Sequence, residues 1–564
     1  MPHFSIPQAS QWLRRAVNEL LDLPALPRKL ALGRRFRDDM RAAQAFFLPG
    51  DIPRRKDRTV IFASFLPLPY IAKIEGLLSK ALLARGFNPV CVHTGYSRIA
   101  GDYHRTAFGN PAFPLARFIP WDRHAALSAL AARTAAGSLE EIKALRHAGA
   151  SVGLHALASA SAANASGSLD LDRAGRRRIQ RLLLRSCLFA EAAAALLREL
   201  TPCQVIAVEK GFVECCEIFY AAANAGVDYV QWHGCHEPES IMLKRYHAGN
   251  LRAHPFSISA ETWRRTLAEP WRDAVADAVY QEFQDGYAAH KWFAYKKLTE
   301  ASLAISPEEL ARRYGLDPAK KTAVIFSPIL NDANLFYGQD LFSGGFGHWL
   351  VETVRAAMAN DRVNWILKLH PANRFRREIS GESGEYGELA AIRQALGGLP
   401  GNLRVMSPED NVNPYALFQC IHYGLTVRGT VGAELPCFGV PVLTAGTGRY
   451  SGLGFTEDSE TAAAYLDKVR AIDAIPPLSP ERVRLALRHA YLFFKVRPSK
   501  YDGFAADVFE DDRGSPFFRD IRFKAATYRE LLDNPQLKRI VDWLADSKDE
   551  DCLADAAQNA AGRD

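Results

Sequence analysis

Two short runs in the C-terminal half of the chain combine strand-like segments with polar groups that could bind an anion. Lys368-Leu369-His370-Pro371 ends an apolar run that begins at Val363, and Arg428-Gly429-Thr430 ends a second strand-like segment. Parallel strands end at one edge of their sheet, and open α/β sheets bind ligands at this edge. A helix that begins there favours an anion, because its first amides are unpaired. We therefore predict a cradle for a phosphate-bearing ligand.

Each residue of this cradle has a role that its chemistry permits. His370 can donate a hydrogen bond to a phosphate, Gly429 allows a sharp turn close to a ligand, and Thr430 can cap the next helix. Glu434 could accept hydrogen bonds from two ribose hydroxyls, or it could complement the dipole of its own helix. The glycine-rich run at 446–454 could fold over the ligand or form a flexible connection.

The N-terminal half offers two candidates for a general base. Glu209 follows a predicted strand at 205–208 and His233 follows another at 227–231, so both should lie at carboxyl ends of strands. Either side chain could remove a proton from an acceptor hydroxyl. Glu209 could instead pair with Lys210 or a helix N-terminus, and His233 could be a turn histidine bound by the backbone. The sequence leaves these alternatives open.

The strands that must position these residues recur in two sets separated by helical patterns. The predicted strands are 60–65, 89–92, 205–208 and 227–231 in the first set, and 322–327, 363–368, 403–406, 421–427 and 440–443 in the second. Segments that alternate in this way form parallel sheets with helices on both faces. The predicted fold class is therefore α/β.

We divide the chain into four predicted parts, which are a helical leader over 1–57, an N-terminal domain over 58–300, a C-terminal domain over 301–496 and an extension over 497–564. The leader has an apolar helical face followed by basic residues. It could rest on an acidic membrane surface or pack on its own domain. The end of the extension is acidic and then Ala-rich, so we expect it to fray. Three serines that precede prolines should cap helices: Ser306, Ser407 and Ser479.

Composition places the 564-residue chain among globular proteins, with 48% hydrophobic and 24% charged residues. The formal net charge of +7 suits anionic small molecules or an acidic membrane surface and is too small to indicate nucleic-acid binding. None of the nine cysteines forms a CxxC pair, which is typical of reduced thiols. With no apolar run long enough to span a bilayer, we predict a cytoplasmic protein.

Several enzyme classes have motifs that this sequence lacks. It contains no GxxxxGK[ST] run for an NTPase, no GxSxG elbow and no HExxH metal site. Asp170-Leu171-Asp172 comes nearest to a DxD metal motif, but it lies in a polar, Ser-rich stretch. We therefore predict no metal and no resident cofactor.

The residues of the cradle resemble the donor domain of GT-B glycosyltransferases. Lys368 to Pro371 is similar to the His-Pro motif that contacts donor phosphate in bacterial capsule polysaccharide synthesis proteins and in Kdo and sialic acid transferases. The run from Arg428 to Glu434 is similar to their hydroxyl-plus-glycine motif, and Phe438-Gly439-Val440-Pro441-Val442 completes the pattern. The resemblance covers about residues 320–460.

Weaker resemblances involve the two candidate bases. Trp232-His233-Gly234 is similar to a signature of CDP-glycerol glycerophosphotransferases, but Cys235-His236 replaces the Thr-Pro of that family. Glu209 and Gly211 are similar to a sialyltransferase motif that has a second acid, which this chain lacks there. The base and the donor therefore stay open.

Together these resemblances imply two Rossmann-like domains facing a cleft, the GT-B arrangement. They imply an inverting, metal-independent glycosyltransferase that moves a sugar from a nucleotide-activated donor to a capsule or surface-glycan acceptor. Lys368, His370, Arg428, Gly429, Thr430 and Glu434 would bind the donor, and Glu209 or His233 would be catalytic. The expected partners are a nucleotide sugar and a glycan or glycolipid acceptor, with possible peripheral contact with the inner membrane surface. The alternatives are a CDP-glycerol-type glycerophosphotransferase and a non-catalytic GT-B-like glycan-binding subunit.

Overall fold

The computed structural model of the protein describes residues 40–41, 54–66, 68–95, 97–163, 169, 171–237, 239–288, 304–330, 332, 335–374, 384–500, 504–509, 518–524 and 527–554. Most of the predicted leader lies outside these residues, and so does Asp170 of the DxD-like run. The boundaries that we predict at 57, 300 and 496 stay predictions.

Fourteen strands are present in the described part of the chain. They are β1 Thr59–Ser64, β2 Asn88–His93, β3 Ala112–Pro114, β4 Gln204–Ala207, β5 Asp228–Gly234, β6 Ser240–Tyr246, β7 Lys321–Phe326, β8 Val363–Lys368, β9 Leu403–Met406, β10 Tyr423–Thr426, β11 Val442–Thr444, β12 Ser499–Lys500, β13 Phe504–Phe509 and β14 Phe518–Phe523.

The α-helices of the described residues are α1 Pro69–Ala84, α2 Arg98–Thr106, α3 His124–Ala135, α4 Leu139–Ala144, α5 Val152–Ala162, α6 Arg173–Leu200, α7 Cys216–Asn224, α8 Ala260–Ala268, α9 Asp273–Phe283, α10 Pro307–Tyr314, α11 Gly345–Ala357, α12 Gly387–Leu396, α13 Pro414–Phe418, α14 Val431–Glu434, α15 Ala462–Arg470, α16 Pro480–Tyr491, α17 Tyr528–Leu532 and α18 Pro535–Asp546. A π-helical turn, Gln284–Ala288, extends α9, and a second, Leu492–Val496, extends α16. Within the described residues no helix is both long and apolar enough to cross a membrane.

The first sheet has the spatial order β12-β6-β5-β4-β1-β2-β3. The five strands from β5 to β3 run parallel, and β6 is antiparallel to β5. Alternate residues of β1 enter different cores, because successive side chains of a strand point to opposite faces. Val60 and Phe62 pack with residues of α1 and α18, whereas Ile61 and Ala63 pack with residues of α6 and α7. Helices therefore cover both faces of this sheet.

The second sheet is entirely parallel, with the order β11-β10-β7-β8-β9. It is covered in the same way, since Val324 and Phe326 of β7 enter one core and Ala323 and Ile325 enter another. The prediction of an α/β fold with parallel sheets is confirmed. The observed strands of this sheet lie within one or two residues of the predicted ones.

Three strands of the first sheet, β3, β6 and β12, have no counterpart in our prediction, and β6 changes the position of a predicted site residue. β6 pairs with β5 antiparallel, with Trp232 opposite Leu243 and His233 opposite Met242. Because of this pairing, β5 continues to Gly234, and His233 lies inside the strand instead of after it. The sequence pattern indicated only alternating strands and helices, so it did not predict an antiparallel strand that follows β5 without an intervening helix.

The cap predictions are confirmed in part. The side chains of Ser306, Ser407 and Ser479 each accept a hydrogen bond from an amide of the helix that follows. Gly439 ends the helical segment after Glu434 with a left-handed φ of 78°, which favours glycine. Thr430 makes no capping hydrogen bond to the backbone, so that prediction is wrong.

The expectation that the acidic end frays is wrong for the described residues up to 554. Asp551 is buried, and its carboxylate receives Lys244 at 2.9 Å and the Ser259 amide at 2.8 Å. β12 joins the first sheet, and α18 packs on α1. Ordering is explained by these buried partners, which lie far away in sequence and cannot be recognised from the local acidic composition.

Candidate functional site

A cavity of about 460 Å³ lies where the carboxyl ends of the two sheets meet. Of the predicted site residues, it is lined by Glu209 and His233 from the first half, and by Lys368, His370, Arg428, Gly429 and Thr430 from the second. Seven of the eight predicted residues therefore surround one space. Glu434 does not line this cavity.

His370 lies just beyond the end of β8. Its Nδ1 accepts a hydrogen bond from the backbone amide of Ala372 at 3.1 Å. An imidazole nitrogen that accepts a hydrogen bond carries no proton, so the proton of the neutral ring resides on Nε2. His370 is therefore held in the tautomer that donates through Nε2.

Lys368 is the last residue of β8 and also lines the cavity. Burial lowers the pKa of its ammonium group to about 8, against the influence of Asp410. Within the described residues its Nζ has no carboxylate partner closer than 4 Å. A bound phosphate would supply the negative charge that this partly buried lysine lacks.

Arg428 lines the cavity, but its guanidinium is also engaged by the protein. It forms an ion pair with the Asp340 carboxylate, and both side chains are largely buried. Asp340 follows a segment, residues 335–339, whose role the sequence did not suggest. The structure thus gives Arg428 a protein partner in addition to any ligand.

Gly429 does not use the left-handed backbone conformation that its role in a turn suggested. Its amide donates to the Thr426 hydroxyl at 3.1 Å, and an added Cβ would lie 2.9 Å from that oxygen. Close packing of the loop against the end of β10 therefore explains the glycine.

Glu434 lies beneath the cavity wall, with only 1% of its surface exposed. The hydroxyls of Tyr287 and Thr430, which both line the cavity, lie near its carboxylate, and Oε2 has no hydrogen-bond partner among the described residues. Burial raises the pKa of Glu434 to about 7, although these two hydroxyls and Arg449 oppose the shift. The structure therefore does not bring Glu434 to the position that direct ribose contact requires.

Glu209 follows β4, and its carboxylate is held by its own backbone. Oε1 accepts the amides of Lys210 and Gly211, each at 2.7 Å. Burial raises the pKa of Glu209 above its usual value, while the two amides oppose that shift. Oε2 has no hydrogen-bond partner among the described residues. The predicted pairing with the Lys210 side chain is absent, because this ammonium donates to the Leu251 carbonyl at 2.6 Å.

His233 shares the cavity but has a different environment. The Gln231 side-chain NH₂ group donates to the Val208 carbonyl at 3.1 Å and faces His233 Nε2 at 2.8 Å. Since an NH₂ group only donates, His233 Nε2 is the acceptor and the ring proton lies on Nδ1. Burial lowers the pKa of His233 to about 4.

Sequence reasoning missed other residues of the cavity wall, including His254, Asp332, Tyr337 and Arg449. All four lie in loops, where no strand end or periodicity marks them, although Arg449 belongs to the glycine-rich run at 446–454. His254 does have a signal, because His254-Pro255 repeats the pair His370-Pro371. Asp332 lies near enough to Glu209 to raise the pKa of that carboxyl further.

The glycine-rich run is an ordered junction between the two halves. The Gly448 carbonyl accepts the His254 amide at 2.9 Å, and the Thr447 amide donates to the Gln339 carbonyl at 2.9 Å. An added Cβ on Gly338 would lie 2.1 Å from the Thr447 carbonyl oxygen. This packing does not describe a flexible connection, and the prediction that the run folds over a ligand stays a prediction, with Arg449 of the run lining the cavity.

One group of side chains outside the cavity could hold a metal ion. Ligand atoms of His236, Glu237 and Glu282 all lie within 4.8 Å of one another. The Lys495 ammonium already donates to Glu282 at 2.7 Å, so this carboxylate is neutralised by the protein. We assign no metal to the group.

Comparison with known proteins gives only distant likenesses. No protein-family model and no curated protein matches the chain. It resembles the solved structure of Thermosulfurimonas dismutans KpsC, a beta Kdo 2,4 transferase, at 13% identity over 59% of this chain and 87% of that one, with a TM-score of 0.30. The S. aureus MnaA–UDP structure matches at 12% identity over 86% and 96%, with a TM-score of 0.25.

A third solved structure, the calicheamicin glycosyltransferase CalG4, matches at 14% identity over 77% of this chain and 94% of that one, with a TM-score of 0.26. All three likenesses lie far below the level at which function carries over. The function of the chain is therefore inferred from its own cavity.

Proposed function

We propose that the chain is a GT-B glycosyltransferase that moves a sugar from a nucleotide-activated donor to a glycan or glycolipid acceptor. One observation carries the proposal. A single cavity has groups suited to a phosphate on one wall, Lys368 and His370, and an oriented carboxylate on the other, Glu209. A transfer reaction needs both functions within reach of one substrate.

Glu209 is the base in this proposal, and His233 is not. The Nε2 lone pair of His233 is occupied by the Gln231 NH₂ group, and burial keeps its pKa at about 4. Glu209 has one oxygen fixed by two amides, which orients the other, and its raised pKa strengthens it as a base. His233 then serves as a neutral donor through Nδ1.

The reaction follows from these positions. The acceptor hydroxyl gives its proton to Glu209 while its oxygen forms a bond to the anomeric carbon of the donor. The bond from that carbon to the phosphate oxygen breaks, and the phosphate leaves with the electron pair. Lys368 and His370 stabilise the negative charge that develops on it. A single displacement of this kind inverts the anomeric centre, and the side chains named here suffice without a metal.

Nucleotide binding tests the proposal most directly. We expect one of CMP, UDP, GDP and CDP to raise the melting temperature of the protein, because a ligand of the folded state stabilises it. His370→Asn should abolish the increase, since the asparagine oxygen can replace Nδ1 as acceptor for the Ala372 amide but offers no donor at the position of Nε2.

His247→Asn is the matched control. His247 Nδ1 also accepts an amide two residues on, from Gly249 at 3.1 Å, but its side chain is 52% exposed and does not line the cavity. The control should keep the full shift. A chain that no nucleotide stabilises, or an equal shift in His370→Asn and the parent, would refute the proposal.

The two alternative functions predict different roles for the residues of this cavity. A CDP-glycerol glycerophosphotransferase would use His233 as the base, which the Gln231 hydrogen bond disfavours. Transfer of label from CDP-glycerol, with none from nucleotide sugars, would support it nonetheless. A non-catalytic subunit would bind a nucleotide and turn over no acceptor.

We also propose that the enzyme works in the cytoplasm and touches the inner membrane surface. α6 begins with a run of exposed arginines, Arg173, Arg177, Arg178 and Arg181, which form no ion pair within the described residues. Such a face attracts anionic lipid. The chain should sediment with phosphatidylglycerol vesicles and not with phosphatidylcholine vesicles, and equal binding to both would contradict this contact.

A further inference from the structure

The cavity is lined by a second His-Pro pair, His254-Pro255, which comes from the other half of the chain. His254 Nδ1 accepts the Phe256 amide at 3.1 Å, just as His370 Nδ1 accepts the Ala372 amide at 3.1 Å. In both pairs the proline lacks an N–H, so the next amide along the chain reaches the ring. The same local device therefore fixes one imidazole on each side of the cavity.

This bond decides which nitrogen of His254 faces the ligand space. With Nδ1 as the acceptor, the proton of the neutral ring lies on Nε2. The side chain lines the cavity and is 8% exposed, and Nε2 has no hydrogen-bond partner among the described residues. His254 thus presents an N–H donor that the described protein leaves unused.

The surroundings of His254 keep it neutral. Burial lowers its pKa well below the usual value, and the positive charges of Arg449, Arg428 and Lys210 lower it further, as does His233. The ring is therefore neutral near pH 7, and in this state its Nε2–H can donate a hydrogen bond.

The position of His254 indicates which part of the substrate it meets. Its backbone amide is bonded to the Gly448 carbonyl at 2.9 Å, and its ring centre lies 4.7 Å from that of Tyr337. Both partners belong to the second half of the chain. His254 therefore lies where the half of the chain that carries Glu209 contacts the half that carries Lys368 and His370, and a group that moves from the phosphate to an acceptor occupies the space that both halves line.

We propose that His254 is a substrate-binding residue that donates a hydrogen bond through Nε2 to an oxygen of the group being transferred. The inference rests on the proposed glycosyltransferase function and adds a specificity residue to it. His370 would then bind the leaving phosphate, and His254 would bind the sugar that is transferred to the acceptor.

Two substitutions separate this role from a structural one. His254→Asn keeps an acceptor for the Phe256 amide and removes the donor in the cavity. His254→Gln places an amide NH₂ group near the position of Nε2 and so restores that donor. Calorimetry then compares the dissociation constants of CMP, UDP, GDP and CDP with those of CMP-sialic acid, UDP-N-acetylglucosamine, GDP-mannose and CDP-glycerol.

We expect at least one of these derivatives to bind the parent protein more tightly than its free nucleotide. In His254→Asn the affinity for that derivative should fall roughly three- to tenfold, which is the range of one neutral hydrogen bond. The affinity for the free nucleotide should not change. His254→Gln should keep most of the gain.

The inference is overturned if no derivative gains over its nucleotide, if the gain survives in His254→Asn, or if nucleotide and derivative weaken equally there. The last outcome would reveal a structural role. Failure of nucleotide binding, on which the proposed function depends, is distinguishable, because then no free nucleotide binds the parent protein at all, and the inference falls with it.

Discussion

The cavity holds three imidazoles, and each is fixed by a different short contact. His254 and His370 accept backbone amides at Nδ1, and His233 accepts the Gln231 side chain at Nε2. Each therefore offers one N–H and no basic nitrogen. Glu209 is the side chain with an oriented oxygen left to accept a proton. Hydrogen bonds within one or two residues of each ring thus separate donors from the base.

At the residue scale, the first prediction concerns Glu209→Gln. The amide cannot accept the proton of the acceptor hydroxyl, so kcat should fall by about 100- to 10,000-fold. Because burial raises the pKa of Glu209, the parent rate should decline as the pH falls through this raised value, where the carboxylate becomes protonated. Initial rates measured over a range of about pH 5 to 8 should show this acidic limb, and the variant should lack it.

His233→Asn is the counterpart for the rejected base. The asparagine Oδ1 does not replace Nε2 as the acceptor for Gln231. The fall in kcat should nevertheless stay within about tenfold, the cost of one hydrogen bond. A loss as large as that of Glu209→Gln, with the acidic limb retained in Glu209→Gln, would assign the base to His233.

At the scale of elements, the loop from Arg428 to Glu434 is held in place by Tyr450, a residue of the glycine-rich run. Tyr450 donates to the Gly429 carbonyl at 2.8 Å and lies against Gly432 of α14. An added Cβ on Gly432 would lie 1.9 Å from the tyrosine oxygen. α14 is only four residues long, so this packing, more than helix length, holds the loop near the cavity.

We therefore predict that Gly432→Ala destabilises the protein by about 1–3 kcal/mol, as overpacking of a core does, and also weakens nucleotide binding. Thermal melts with and without nucleotide measure both effects. Gly398→Ala is the control, because an added Cβ there has nothing within 4 Å. Unchanged nucleotide affinity in Gly432→Ala would show that Tyr450 does not support the loop.

At the scale of the whole molecule, the C-terminal segment packs against the first half of the chain, next to the residues that carry His254. Asp551 binds Lys244 at 2.9 Å and lies 3.7 Å from Arg497. Arg497 in turn donates to the carbonyls of Pro255 at 3.1 Å and Ser257 at 2.7 Å. The segment that carries His254 is therefore fixed by residues from the far end of the chain.

Asp551→Asn should lower stability by about 3 kcal/mol, because it leaves two buried cations without their carboxylate. Burial by itself would raise the pKa of Asp551, but Lys244 and Arg497 outweigh it and hold the pKa well below the usual value. The carboxylate therefore contributes its stability above the unfolded pKa of 3.8, and that contribution is lost as the pH falls further.

Thermal melts at pH 7 measure this effect. Asp549→Asn provides the control, since the Asp549 side chain is 51% exposed and lies 3.6 Å from an equally accessible Arg265, an arrangement worth little. Equal melting temperatures for the two variants would mean that the C-terminal segment does not stabilise the fold.

Local patterns in the sequence are enough to predict the α/β class, most strand positions and the cluster of polar residues at strand ends. Strand periodicity and the meeting of parallel strands at one edge are local rules, so Glu209, Lys368, His370 and Thr430 could be placed together without coordinates. Serine caps and the stop at Gly439 followed from equally local chemistry.

The chemical role of each group depends instead on contacts that form when the chain folds. The tautomers of His233 and His370, the burial of Glu434 and the ordering of Asp551 depend on partners brought together by folding. The antiparallel strand β6, which moved His233 into a sheet, and the loops that carry His254 and Arg449 left no periodic trace. Burial and hydrogen-bond partners are properties of packing, and they determine which group donates, which accepts and which takes the proton.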